Sequence, residues 1–236
     1  KKCPSCGSKT IKEYNNVTKK EDAVRRCSSE GYECGKVAIE KLKHFVSKDA
    51  LNIEGFGKKI VENFWKLNLI RLPHDIFDLD FKKIENLEGW GIQSVENLKY
   101  SINQRKSISL ERLIYSLGIR HIGLENAKIL SQYFKSFSKF ISFSNEVILD
   151  DLLNIDGIGE TQLKSLKNFF DNKVNLNILK KLQKILEVKD AATKDKNGLL
   201  NEKTFMVTGK LNGISRAEVK SLIEENSGSS VSTVSK

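Results

Sequence analysis

A short glycine-containing pattern recurs four times in this sequence and constrains the fold more than any other feature. The four copies end at Gly57, Gly91, Gly123 and Gly159, which are 34, 32 and 36 residues apart. Apolar residues follow each copy at spacings of three and four, as on one face of a helix. A turn that repeats between helices at a near-constant interval predicts a chain of repeated helical units. Because strand-like alternation is absent, we expect this region to be entirely α-helical.

Each copy has the form apolar-x-Gly-apolar-Gly, which favours contact with phosphate. Glycine adopts positive φ and allows another surface to approach the backbone closely. The apolar residue between the glycines is expected to point inward, and these residues are Phe56, Trp90, Ile122 and Ile158. The helix that follows presents unpaired N–H groups and the positive end of its dipole, which bind phosphate without reading bases. The third copy departs from the pattern, because His121 stands where a glycine is expected.

Such turns can also simply join helices in a bundle, but four copies favour helix-hairpin-helix units that bind DNA. The formal net charge of +10 agrees with a polyanionic partner. The predicted DNA-binding residues are the hairpin glycines and nearby cationic or polar residues: Gly55, Gly57, Lys58, Lys59, Gly89, Gly91, Arg120, Gly123, Gly157, Gly159, Thr161 and Lys164. The polar and cationic members could add direct phosphate contacts.

All four cysteines lie at the start of the chain, at Cys3, Cys6, Cys27 and Cys34. A C-x2-C turn, which Pro4 and Gly7 favour, places two thiolates close enough to share a metal, and a second pair completes a tetrahedron. The pattern predicts structural Zn²⁺; with four thiolate ligands, no position remains for a catalytic water. Four free thiols and an iron–sulfur cluster are the alternatives. With few large apolar residues, this segment is expected to fold only with its metal bound.

The predicted organisation is mainly α-helical. It comprises a small four-cysteine zinc finger (1–43), four tandem helix-hairpin-helix units (44–186), a polar linker (187–203) and an incomplete α/β module (204–236). The tail predicts a strand over 204–209, a helix with Ser215 and Glu218 as a capping box, and a second strand. The predicted apolar positions of that helix and strand are Val219, Leu222, Ile223, Val231 and Val234. Because a β-α-β unit cannot close a core by itself, the sequence is expected to stop within a domain. No stretch is long and apolar enough to span a membrane.

These elements, in this order, closely resemble the C-terminal portion of bacterial NAD-dependent DNA ligases. The most specific pieces are Cys-Pro-Ser-Cys-Gly (3–7), Leu-Lys-His-Phe-Val-Ser (42–47), Leu-Gly-Ile-Arg-His-Ile-Gly (117–123) and Phe-Met-Val-Thr-Gly-Lys-Leu (205–211). The resemblance implies zinc on the four cysteines, DNA at the hairpin glycines, and a BRCT domain that begins in the tail. Thr208-Gly209 then resembles the phosphate-proximal turn of that domain. The 20-residue gap between the cysteine pairs is longer than usual for the family.

The resemblance also implies a function. The chain would bind nicked double-stranded DNA without sequence specificity, as part of a ligase that acts in replication and repair. In that family a lysine in Lys-x-Asp-Gly takes AMP from NAD, with Mg²⁺ as the metal; here the only Asp-Gly follows Asn154 by two residues, at Asp156-Gly157. We therefore expect no catalytic residue in this chain, and neither NAD nor Mg²⁺ bound to it. The upstream ligase domains are the expected protein partners of a monomer that lies in the bacterial cytoplasm, at the nucleoid.

Two other functions are open at the level of sequence. DNA glycosylase/lyases pair one helix-hairpin-helix with a lysine after the hairpin and an aspartate further on. Lys59 falls at a comparable offset, and the downstream candidates are Asp75, Asp78 and Asp80. The second alternative is a non-catalytic DNA-repair scaffold, in which the finger and tail bind protein and the hairpins only pack.

Overall fold

The computed structural model describes residues 1–15, 19–29, 31–143, 151–191, 198–209, 213–214 and 216–231. About half of the chain is helical. Within the described ranges, no helix combines the length and the apolar character needed to cross a bilayer.

The N-terminal part consists of short antiparallel strands that end at a helix. Strand β1 (Thr10–Ile11) pairs with β4 (Arg26–Cys27), and β2 (Tyr14–Asn15) pairs with β3 (Lys20–Glu21). The long gap between the cysteine pairs therefore forms two nested antiparallel ladders. Helix α1 (Gly35–Phe45) begins directly after Cys34, which is its N-cap residue. Because α1 runs across residue 43, the predicted end of the finger lies inside a helix.

Helices then follow one another as far as residue 185. They are α2 (Lys58–Lys66), a 3-10 helix (Pro73–Asp78), α3 (Phe81–Glu85), α4 (Ile92–Gln104), α5 (Leu110–Ser116), α6 (Leu124–Phe134), α7 (Phe137–Ile141), α8 (Glu160–Asp171) and α9 (Lys173–Ile185). A helical turn at 151–153 precedes the fourth hairpin. The helix predicted after each hairpin is present, as α2, α4, α6 and α8.

The apolar faces of these helices merge into one core. The cluster of buried side chains extends without a break from Leu42 in α1 to Leu186 after α9. Phe140 stacks edge-on against Phe134 and Phe170 at centroid distances of 5.3 and 5.2 Å, which joins the third and fourth units. The four hairpins are consequently joined by one hydrophobic core.

One short strand interrupts the region predicted to be entirely helical, and a second occupies the start of the predicted linker. Strand β5 (Ser107–Ser109) pairs in parallel with β6 (Glu187–Lys189), with Ile108 opposite Val188. The all-α prediction for this region is therefore wrong at β5, and the linker prediction is wrong at 187–189. These strands are three residues long and mostly polar, so they carry no periodic signal.

The tail forms the predicted β-α-β segment. Strand β7 (Thr204–Met206) pairs in parallel with β8 (Ser229–Val231), and α10 (Arg216–Glu225) connects them. Ile223 is buried and Val219 half-buried, but Leu222 is 48% exposed, so the predicted apolar face is narrower than expected. Ser215 and Val234 lie outside the described residues.

Candidate nucleic-acid interface and metal centre

The four cysteines converge at the base of the N-terminal ladders. Their sulfur atoms all lie within 4.8 Å of one another. The Sγ–Sγ distance is 3.9 Å for Cys3 and Cys34 and 3.4 Å for Cys6 and Cys27. A tetrahedral zinc site with 2.3 Å Zn–S bonds has sulfur–sulfur edges of about 3.8 Å. Four cysteines so arranged could hold a zinc ion.

The surroundings of the sulfurs also suit a bound cation. Hydrogen bonds from Ser8 and Ser29 lower the pKa of the Cys6 thiol to about 5, towards the thiolate form that binds metal. The Ser29 N–H donates to Cys27 Sγ at 3.4 Å. Gly7, at φ +76°, closes the first turn through its N–H bond to the Cys3 carbonyl. Gly35 follows Cys34 as Gly7 follows Cys6, but it has a different role, because it is the first residue of α1 and packs against Trp65.

The four hairpins share one backbone conformation. The first glycine has positive φ in three of them, namely +77° at Gly55, +81° at Gly89 and +89° at Gly157. His121 occupies the same position in the third hairpin and has φ +60°. The third hairpin therefore has a histidine in place of the first glycine, and this histidine adopts the left-handed backbone conformation that few non-glycine residues adopt. The hairpin geometry is kept in all four copies.

The second glycine of each hairpin begins the next helix. In three copies a side chain three residues on accepts the glycine N–H: Ser94 for Gly91 at 2.9 Å, Asn126 for Gly123 at 3.4 Å and Gln162 for Gly159 at 3.2 Å. The first hairpin has Ile60 at that position, and within the described part of the chain the Gly57 N–H has no acceptor. Its donor faces the N-terminal end of α2, where the helix dipole favours an anion.

Most hairpin glycines face open space. A Cβ built on Gly55, Gly57, Gly89, Gly91 or Gly123 would meet no heavy atom within 4 Å. Gly157 differs, because its Cβ would lie 2.8 Å from Ile129, and its carbonyl accepts a hydrogen bond from Asn126 at 2.7 Å. The fourth hairpin is thus packed against α6, the helix that follows the third hairpin, whereas these five glycines of the first three hairpins are uncovered.

A groove separates the first two hairpins. It has a volume of about 690 Å³, and Gly55, Gly89, Trp90 and Tyr100 are among its lining residues. Phe56, Ile122 and Ile158 are buried as predicted, but Trp90 is only partly buried and stacks on Phe64 at 5.5 Å.

Sequence reasoning missed the polar and aromatic residues along α4. Tyr100 is 66% exposed beside the groove, and Ser94 caps the helix that begins there. Ser94 and Asn126 each lie three residues after the second glycine of a hairpin. This spacing is the sequence signal that could have identified them as helix caps.

The predicted cationic contacts fall into two groups. Lys58 and Lys59 are exposed in the first turn of α2, and Thr161 and Lys164 are exposed at the start of α8. Arg120 instead forms an ion pair with Glu13 of the finger and lies 4.0 Å from Asp22. In this structure its guanidinium joins the finger to the third hairpin through these two carboxylates.

Two of the three aspartates considered for a lyase, Asp75 and Asp80, have structural roles. Asp75 Oδ2 accepts the backbone N–H groups of Arg71 and Leu72 at 2.9 and 2.8 Å. Asp80 caps α3 by accepting the Lys83 N–H at 3.2 Å. Both carboxylates therefore stabilise the turns around the 3-10 helix.

The hairpins define the class of protein. Residues 112–179, which contain the third and fourth hairpins, match the family model described as "Helix-hairpin-helix motif". The chain thus contains a helix-hairpin-helix motif together with a four-cysteine cluster.

Whole-length similarity identifies the family. The chain is 65% identical over 235 residues to a protein of Pelagibacter ubique (strain HTCC1062) named DNA ligase, and the match covers 100% of this chain and 35% of that protein. Proteins of the same name from Rickettsia bellii (strain RML369-C) and Wolbachia pipientis wMel are 40% and 41% identical, with 94% and 92% of this chain and 33% of each relative covered. The chain belongs to the DNA ligase family and corresponds to the C-terminal part of such a protein. It spans about one third of the length of these relatives.

Proposed function

We propose that this chain binds duplex DNA through its phosphate backbone, as the C-terminal DNA-clamping part of an NAD-dependent DNA ligase that seals nicks in replication and repair. The observation that carries the proposal is the set of uncovered glycines, each at or beside the start of a helix, on one shared hydrophobic core. Backbone recognition without base contacts suits a nick, which can occur in any sequence.

The proposed organisation follows the predicted domains, with the corrections given above. Residues 1–43 form a zinc finger that continues into α1, and 44–186 form four helix-hairpin-helix units. Residues 187–203 lead from β6 to the tail, and 204–236 are the first part of a BRCT domain. The BRCT assignment is supported by the parallel pairing of β7 and β8 and by the helix α10 that connects them. Gly209 lies after β7 with φ +79°, and its carbonyl accepts a hydrogen bond from the Arg216 guanidinium.

In this proposal zinc has a structural role. Cys3, Cys6, Cys27 and Cys34 would hold the ion and leave no ligand position open. When bound, zinc supplies the cross-link that so small a segment needs in order to fold. The finger in turn positions the third hairpin through the Glu13–Arg120 ion pair.

At the DNA surface, the glycines let phosphates reach the backbone closely. We expect the Gly57 N–H to donate to a phosphate oxygen at the positive end of α2, with Lys58 and Lys59 adding charge. Gly89, Gly91 and Gly123 would approach the duplex in the same way, and Thr161 and Lys164 would line its path at the fourth hairpin. The adenylated lysine, NAD and Mg²⁺ would belong to parts of the ligase that this chain does not span. We propose a monomer that acts on nucleoid DNA in the bacterial cytoplasm.

Fluorescence anisotropy with nicked and intact duplexes across a salt series tests this function. We expect binding that weakens steeply as salt rises. The double variant Lys58→Ala/Lys59→Ala should lower the slope of log K against log[salt] by about 1.8, because two phosphate contacts are lost. The matched control is Lys180→Ala/Lys184→Ala, two exposed lysines on α9 that belong to none of the four hairpins, which should leave the slope unchanged. Absence of binding at low salt would refute the proposal, and equal affinity for both duplexes would place nick sensing outside this chain.

A further inference from the structure

Two arginines support the backbone that leads into the first hairpin. Arg112, in α5, donates through Nε to the Ala50 carbonyl at 2.9 Å and through Nη2 to the Lys48 carbonyl at 3.3 Å. Arg105, at the end of α4, donates through Nε to the Asn52 carbonyl at 3.0 Å. These carbonyls belong to 48–52, the segment immediately before the hairpin at 53–57. The position of that hairpin therefore depends on where the two guanidinium groups are held.

The counter-ion of this arginine pair comes from the tail. Glu218 of α10 places Oε1 2.5 Å from Arg105 Nη1 and 2.7 Å from Arg112 Nη1. The Arg112 side chain is only 7% exposed and that of Arg105 24%. Two largely enclosed cations thus share one carboxylate, and removal of one partner from such a group leaves charge that water cannot solvate.

Further contacts hold Glu218 in this place. Ser221 donates to Glu111 Oε1 at 2.5 Å, and Glu224 forms an ion pair with Lys128 of α6. Glu218, Ser221 and Glu224 lie three residues apart, so they share one face of α10. The tail module is therefore docked on α5 and α6 through several polar contacts, of which Glu218 alone reaches the arginines under the first hairpin.

We propose that Glu218 is a positioning residue for the first hairpin. Its carboxylate neutralises both arginines, so that they stay inside and hold the carbonyls of 48–52. Without it, the two guanidinium groups repel each other, and Arg105, the more exposed of the two, moves towards water and releases Asn52. The first hairpin, with its uncapped Gly57 N–H, then loses the fixed geometry that phosphate binding needs. The effect on DNA rests on the proposed function, but the effect on the loop does not.

Amide hydrogen exchange of the full chain without DNA tests the structural step. The reporters are hydrogen-bonded amides of the loop and hairpin: Ala50, Leu51, Asn52, Ile53 and Phe56. Glu218→Gln keeps the shape and removes the charge, and it should speed exchange at these amides about tenfold. Glu225→Gln, an exposed glutamate at the end of the same helix, is the matched control and should change nothing. Glu218→Asp, which keeps the charge, should restore part of the protection.

Anisotropy with the same variants tests the functional step. We expect Glu218→Gln to bind duplex DNA several-fold more weakly than the Glu225→Gln control. Unchanged exchange at 50–56, or faster exchange confined to 216–225, would overturn the proposal, because Glu218 would then only dock the tail. Faster loop exchange with unaltered DNA affinity would overturn its functional part. If the unaltered chain binds no DNA, the proposed function fails, while the exchange result still decides whether Glu218 positions the loop.

Discussion

The two glycines of the first hairpin should respond differently to alanine. Gly57 has φ −72°, which any residue adopts, whereas Gly55 has φ +77°. Apart from its own residue and the two adjoining ones, a methyl group at either position meets no heavy atom within 4 Å. Gly57→Ala therefore adds bulk without backbone strain, and Gly55→Ala adds both. Comparison of the two variants therefore distinguishes the effect of glycine on the stability of the hairpin from its effect on DNA binding.

The expected stability changes follow from these angles. At Gly57, alanine is the poorer N-cap by up to about 1 kcal/mol, and the loss is offset by about 0.4–1 kcal/mol of lower unfolded-state entropy. The net change in unfolding free energy should lie within about 1 kcal/mol of zero. At Gly55, the left-handed conformation costs alanine about 1–2 kcal/mol. For a chain of this size that lowers Tm by about 2–8 °C.

DNA affinity should fall in Gly57→Ala, although that variant keeps its stability. The added methyl group of Gly57→Ala occupies the space through which a phosphate would reach the uncapped N–H. We expect about tenfold weaker binding, equivalent to about 1.4 kcal/mol. The salt dependence should be unchanged because Lys58 and Lys59 remain. Thermal unfolding followed by circular dichroism, with anisotropy on a nicked duplex, measures both quantities. If Gly57→Ala melts and binds like the unaltered chain, the hairpin merely joins two helices and the close-approach argument fails.

Three further predictions concern the finger and the core. A chelator should abolish amide protection in the β1–β4 segment while leaving the helical circular dichroism of α2–α9 nearly intact, because no cysteine is among the described residues of the core cluster from Leu42 to Leu186; loss of the whole helical signal would contradict this. Arg120→Ala should leave the salt slope of DNA binding unchanged, since Glu13 and Asp22 already neutralise that charge; a slope lower by about 1 would instead assign a phosphate contact to Arg120. Loss of solvation on burial lowers the pKa of His74 below its usual 6.5, with the nearby Lys181 adding to the effect. The unfolded chain then binds more protons, so the unfolding free energy should fall as the pH drops below about 6.5. Urea unfolding of His74→Gln should show a weaker pH dependence, and equal dependence in both proteins would refute the assignment.

Local patterns predicted most of the helical architecture. The spacing of Val95, Leu98 and Ile102 is enough to fix the buried face of α4, because a helical face needs no distant partner to be recognised. The cysteine spacing likewise predicted the cluster. It did not predict the nested ladders between the pairs, which no regular alternation of residues marks.

Contacts between residues far apart in the chain could not be predicted from the sequence. The partner of Arg120 is an acidic residue of the finger more than a hundred positions away, and Glu218 finds its arginines across a similar distance. Nothing local distinguishes these charges from solvated ones. The β5–β6 ladder is hidden for the same reason, since its pairing joins the start of α5 to the end of α9. His121 adopts a left-handed conformation that local propensity assigns to glycine.

The parallel β5–β6 ladder should make part of this chain resistant to stretching force. Its partners Ser107–Glu187 and Ser109–Lys189 join the two ends of a loop that contains the third and fourth hairpins. Tension applied between the chain termini enters β5 at its N-terminal end and β6 at its C-terminal end. Parallel strands pulled from opposite ends are loaded in shear, so their hydrogen bonds share the force and resist it together. As long as the ladder is intact, the third and fourth hairpins should carry no tension. An optical-trap extension trace should therefore show these two hairpins unfolding only after the β5–β6 hydrogen bonds have broken.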